Sequence, residues 1–159
     1  MRIIKTEISY QNIKIKTPYH PFIRDVVQLS FDHLFRRGYI KMRNFGIKAS
    51  VSVLICDDKK MIQLNKRYRN NALPTNELSF SYMDDPASTV VGEIVINWDE
   101  LLRDSSGSFE DKKLSLLNFI AHAILHIIGF SHENDEKASR MDEVKENIFS
   151  YVMKKQRKK

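Results

Sequence analysis

The chain has 159 residues, 42% of them hydrophobic and 29% charged, with a formal net charge of +6. That length and apolar content suit a single globular domain spanning residues 1–159, with a real core and no dividing linker. A lone cysteine, Cys56, excludes an internal disulfide framework and accords with a reducing cytoplasm, while the positive balance favours an anionic partner such as nucleic acid.

The N-terminal run MRIIKTEISYQNIKIK is charged throughout and has no apolar stretch long enough for a signal peptide or a membrane span, so no membrane partner is expected. Within it, Ile3 to Tyr10 reads as a strand. Phe22, Ile23, Val26, Val27 and Leu34 follow helical spacing after Pro21, a good first-turn residue. Ile47, Ala49, Val51, Val53 and Ile55 alternate with Lys48, Ser50 and Ser52, the period of a half-buried strand. Asp57 and Asp58 can cap a helix that turns Met61, Leu64 and Tyr68 inward. Leu78 to Tyr82 and Glu93 to Trp98 are short strand candidates joined by the turn-like MDDPAS.

Ser108, with Asp111 three residues on, fits a helix start. From there to Ile128, Leu114, Leu117, Ala121, Leu125 and Ile128 form one face, and Ser115, Asn118, His122 and His126 form a polar stripe. A last helix, from about Asp135, buries Met141, Val144, Ile148 and Val152, and its basic end KKQRKK is expected to fray from about Lys154.

That polar stripe carries the chemistry. Residues i and i+4 share a helix face, so His122 and His126 can address one point. Gly129 can end the helix in a left-handed turn and return His132 to the same point. Three imidazoles without a fourth protein ligand describe an open metal site with zinc as the natural occupant. A structural zinc closes with four ligands, usually cysteine-rich, and Cys56 lies far off in sequence. His20 and His33 lack partners at ligand spacing and read as surface or packing residues.

Zinc makes a bound water acidic and polarises phosphoryl oxygens. Zinc proteases of the H-E-x-x-H type put a glutamate directly after the first histidine, where this chain has Ala123, which argues against a protease. Glu133 and Asp135 are near in sequence but read as a solvated helix start, and no general base is assigned. A metal-dependent protease or other hydrolase stays open beside a nuclease.

The histidine segment HAILHIIGFSH resembles the signature H-G-x-L-H-L-x-G-Y-D-H of the bacterial YbeY endoribonucleases, with all three histidines, Leu125 and Gly129 at matching offsets. Upstream, Leu64, Asn65, Tyr68 and Arg69 fit that family's L-N-x-x-Y-R. PTNELSF (Pro74 to Phe80) is similar to its P-T-D-V-L-S-F, and GEIVI (Gly92 to Ile96) to its G-D-I-V-I. The resemblance covers about Leu64 to Met141. Ala123 replaces a glycine, Ser131 replaces the aspartate before the third histidine, and Asn76 and Glu77 stand where the family has aspartate or asparagine and valine.

The resemblance implies an α+β fold, a small mixed sheet packed with helices around a zincin-like metal-binding helix. It implies one zinc per chain on His122, His126 and His132, with Arg69 and His122 as catalytic residues. The implied activity is single-strand-specific cleavage of RNA, in maturation of the 3′ end of small-subunit (16S) ribosomal RNA and in ribosome quality control. The implied partners are ribosomal RNA and the ribosome or its small-subunit proteins in the cytoplasm, with no DNA; a non-catalytic ribosome-binding factor with a stabilising zinc stays open as an alternative. PTNELSF is implied to lie beside the metal cleft and line the RNA path, whereas Lys66 and Arg67 read as an ordinary solvated helix face.

Overall fold

A computed structural model describes residues 4–14 and 19–159. In chain order the elements are β1 (Lys5–Gln11), α1 (Tyr19–Arg36), β2 (Ser50–Cys56), α2 (Asp58–Arg69), β3 (Glu77–Ser81), β4 (Val90–Asn97), α3 (Trp98–Asp104), α4 (Phe109–Ile127) and α5 (Asp135–Gln156). The strands form one sheet in the order β1-β2-β4-β3, with β1, β2 and β4 parallel and β3 antiparallel to β4. This is the small mixed α+β sheet that the resemblance implied. Ile3, placed at the start of the first strand by its sequence, lies outside the described residues.

Strand alternation splits the core in two. Val51, Val53 and Ile55 pair in register with Gly92, Ile94 and Ile96, and their shared face joins one core with α1 and α4, against which α5 packs in turn. On the opposite face Leu78, Val95 and Cys56 meet Met61 of α2. Helix α4 is buried almost all round, through Leu116, Phe119, Ile120, Ala123, Ile124 and Ile127, because it lies between the sheet and the helices α1 and α5. Leu114, placed on its apolar face by spacing, sits one turn earlier and is 37% exposed. Ser108 caps α4 by accepting from the amide of Asp111 at 3.1 Å. No helix among the described residues is long and apolar enough to cross a membrane.

Gly92 is required where β4 is squeezed between β3 and the end of α4. A Cβ there would lie 2.6 Å from the Phe80 carbonyl oxygen and 2.8 Å from Cδ1 of Ile127. Ser81 adds a direct tie, donating from Oγ to the Ile127 carbonyl at 2.7 Å. Strand β3 and the histidine helix are therefore locked together.

Several expectations are corrected. The alternation does not extend before Ser50: Ile47 and Ala49 are exposed, while Lys48 is buried and donates its Nζ to the Asp85 carbonyl at 2.6 Å. A register irregularity between Ser50 and Val51 changes the phase there. Tyr68 does not turn inward; it is 54% exposed, its ring set against Phe80 at 4.9 Å. Asn65 takes the buried place and donates to the Leu73 carbonyl at 2.8 Å. Strand β4 stops at Asn97, whose side chain accepts from the amides of Asp99 and Glu100 and so starts α3 at Trp98. At the C-terminus α5 stays helical through Gln156, held because Gln156 and Lys159 both donate to Asp25 on α1.

Candidate metal centre

The turn that ends α4 is built on Gly129, at φ +106°. Its amide donates to the His126 carbonyl at 3.1 Å and the Phe130 amide to the Leu125 carbonyl at 2.9 Å, the paired bonds of a glycine-terminated helix. A side chain at that φ would strain the backbone, so glycine is what lets the chain reverse so tightly. The reversal carries His132 back over the last turn of the helix.

The three imidazoles meet there. Nε2 of His122 lies 3.0 Å from Nε2 of His126 and 3.3 Å from Nε2 of His132. All three ligand atoms fall within 4.8 Å of one another. A tetrahedral zinc bound at roughly 2.0–2.1 Å spaces its ligands by about 3.3 Å, close to the two separations that His122 makes with His126 and His132. Burial, followed by the neighbouring His126 and Lys145, pushes the His122 imidazole down to about 4, and burial also lowers His126. At neutral pH both are uncharged, the ligating form. The donor set therefore fits a divalent transition metal.

Two further groups lie at this site. Oε1 of Glu77, on β3, stands 3.7 Å from Nε2 of His122 with its side chain 16% exposed. Burial drives the Glu77 carboxyl up to about 7, against the opposing charges of Arg69 and Lys145. Arg69 is the last residue of α2, where Asn70 turns left-handed at φ 52° and ends the helix. It is exposed, and its charge reaches both Glu77 and His126. Lys145, on α5, acts on Glu77 and His122 from its own side.

The structure thus brings together His122, His126 and His132, three of the residues singled out in the sequence, while Arg69, the fourth, reaches the site through its charge. His20 and His33 stay apart: His20 bonds the hydroxyl of Tyr10, and His33 is buried beside Tyr151. Glu133 and Asp135 are exposed, Glu133 pairing with Lys137. Lys66 and Arg67 are exposed, as a solvated helix face should be. Glu77 and Lys145 were missed by sequence reasoning, since neither belongs to the histidine run. The one signal for Glu77 was its charge in the otherwise strand-like PTNELSF.

Comparisons with known proteins point the same way. The family profile described as Endoribonuclease YbeY matches residues 8–153. A curated relative bearing that description, from Petrotoga mobilis, is 38% identical over 113 residues, covering 68% of this chain and 74% of the relative. Another, from Neorickettsia sennetsu, is 35% identical over 107 residues, covering 65% and 73%. The solution structure of a target protein from Thermotoga maritima aligns with a TM-score of 0.57 over 96% of this chain and 92% of that one. At 21% identity, that likeness concerns the fold alone.

Proposed function

The chain belongs to the YbeY endoribonuclease family, and from that premise we propose that it is a zinc-dependent endoribonuclease that cuts single-stranded RNA. Its substrate on this reading is the 3′ end of small-subunit ribosomal RNA. It works in the cytoplasm with the ribosome, in rRNA maturation and in ribosome quality control. The observation that carries the reading is the convergence of the His122, His126 and His132 Nε2 atoms beside an exposed arginine.

His122, His126 and His132 would hold the metal, one per chain. When bound, the ion supplies Lewis acidity towards a phosphoryl oxygen. Arg69 clamps the non-bridging oxygens of the scissile phosphate, adding a positive charge where negative charge grows during the displacement. His122, the ligand beside Glu77, is the one both other imidazoles approach. Ala123, fully buried, offers no carboxylate for a protease-type reaction.

Cleavage of single-stranded RNA, of the matched duplex and of casein, each with and without chelator, tests this. Chelator-sensitive cleavage of the single strand alone is expected, with binding that weakens steeply as salt rises. Cleavage that survives chelation, or casein digestion without RNA cleavage, would overturn the reading.

A further inference from the structure

Glu77 enters the centre from outside the histidine segment. It opens β3, paired across the ladder with Ile96, and the Asn97 amide donates to the neighbouring Asn76 carbonyl at 2.9 Å. With Ser81 tied to Ile127 at the other end, the strand holds this side chain against α4 rather than letting it swing into water. Its carboxylate accepts no hydrogen bond among the described residues, and neither Arg69 nor Lys145 comes within ion-pairing distance of it. Nε2 of His122 stands 3.7 Å from its Oε1.

A carboxylate only 16% exposed, with no protein donor to satisfy it, is costly to keep charged. The cost is removed if a cation sits where the imidazole nitrogens converge, because three neutral ligands leave the full charge of a divalent ion uncompensated. Glu77 is not a fourth member of the mutual cluster, which the three histidines form alone. It lies to one side, against His122. Resting on the metal-dependent reading above, we propose that Glu77 belongs to the metal centre, its unpartnered carboxylate beside His122 supplying the negative charge that retains a divalent cation among three imidazoles.

The contrary view makes Glu77 a packing residue whose loss loosens β3. Glu77→Gln keeps the shape without the charge, and Glu77→Val replaces it with a residue suited to a strand. Each is stripped of metal and titrated with zinc against a chromophoric chelator, and the melting temperature of the metal-free protein is recorded. Zinc affinity should fall about ten- to hundredfold in both variants, as loss of an outer-shell partner typically causes. The metal-free melting temperature should hold, since neither variant removes a hydrogen bond that the carboxylate accepts among the described residues. Wild-type zinc affinity in both variants overturns the proposal, as does a lowered melting temperature with affinity intact. Should Glu77→Val fail to fold, Glu77→Gln alone decides. A wild-type protein that binds no divalent metal overturns the metal-dependent reading itself, whereas zinc-binding wild type matched by both variants overturns only the role of Glu77.

Discussion

Nδ1 of His126 and the backbone carbonyl of Phe130 are 3.0 Å apart. A carbonyl only accepts, so Nδ1 carries the proton and Nε2 is left with its lone pair facing His122 and His132. The turn after α4 therefore does two jobs at once. It returns His132 to the helix, and its carbonyl selects the tautomer that lets His126 bind metal.

Gly129→Ala tests that coupling. A Cβ at Gly129 meets nothing within 4 Å, so the substitution brings backbone strain without a clash. The strain at φ +106° should cost on the order of 1–2 kcal/mol of folding stability by urea denaturation. Zinc affinity should fall as well, because relaxing the turn moves both the Phe130 carbonyl and His132. A variant that loses stability but binds zinc like wild type would show that the turn does not align the ligands.

The histidines themselves give the most direct measurement. Protein purified without chelator should hold about one zinc per chain by elemental analysis, because their spacing suits an open tetrahedral site. A His122→Ala, His126→Ala double variant should hold none. Equal metal content in the two proteins would refute the assignment.

His122, His126 and His132 were legible in the sequence because helix geometry and one glycine bring them together within a short run. The strand and helix order was legible too, since the apolar period reports which face is buried. Local periodicity failed where tertiary contacts decide. Lys48 is buried because a distant carbonyl, that of Asp85, receives its ammonium, and on α2 the polar Asn65 is buried because its side chain donates to the Leu73 carbonyl. Helix α3 was invisible because a short WDELLRD segment reads as the tail of a strand until Asn97 is seen capping it. Glu77 joins His122 only through the packing of β3 on α4, which no spacing along the chain encodes.

Acid should weaken the fold at Asp32. On α1, Asp32 accepts from the Tyr151 hydroxyl and from Nε of Arg36. Burial opposes its ionisation, yet the hydrogen bonds from Tyr151 and Arg36 outweigh it and hold the carboxyl below the usual carboxylate range. A depressed folded pKa stabilises the protein above the unfolded value of about 4, and the gain is lost as pH falls through the folded value. Tyr151→Phe should thus cost about 1.5–3 kcal/mol at neutral pH, as loss of a hydrogen bond to a charged group does. The penalty should shrink in acid as Asp32 protonates. A penalty constant from neutral pH down to acid unfolding would refute this account.

Arg69 offers the sharpest test of the chemistry. It stands where α2 ends, and Asn65, bonded to the Leu73 carbonyl, holds the loop that leads from it into β3. Among the described residues its side chain has no ion pair within reach, although its field extends to Glu77 and His126. An exposed arginine whose charge reaches the candidate metal centre, with no ion pair of its own among the described residues, is free to take a phosphate. Its planar fork grips two phosphate oxygens at once, which lysine, a point charge on a flexible stem, does not reproduce. If that charge acts on the transition state, its removal should slow RNA cleavage on the order of a hundredfold or more. Arg69→Ala and Arg69→Lys should both keep wild-type zinc content and melting temperature, since surface substitutions seldom move stability by more than about 0.5 kcal/mol. Arg69→Lys should bind RNA more nearly like wild type than Arg69→Ala does, while both remain slow to cut it. Wild-type cleavage by zinc-loaded Arg69→Ala would mean that this arginine is only a solvated end of a helix.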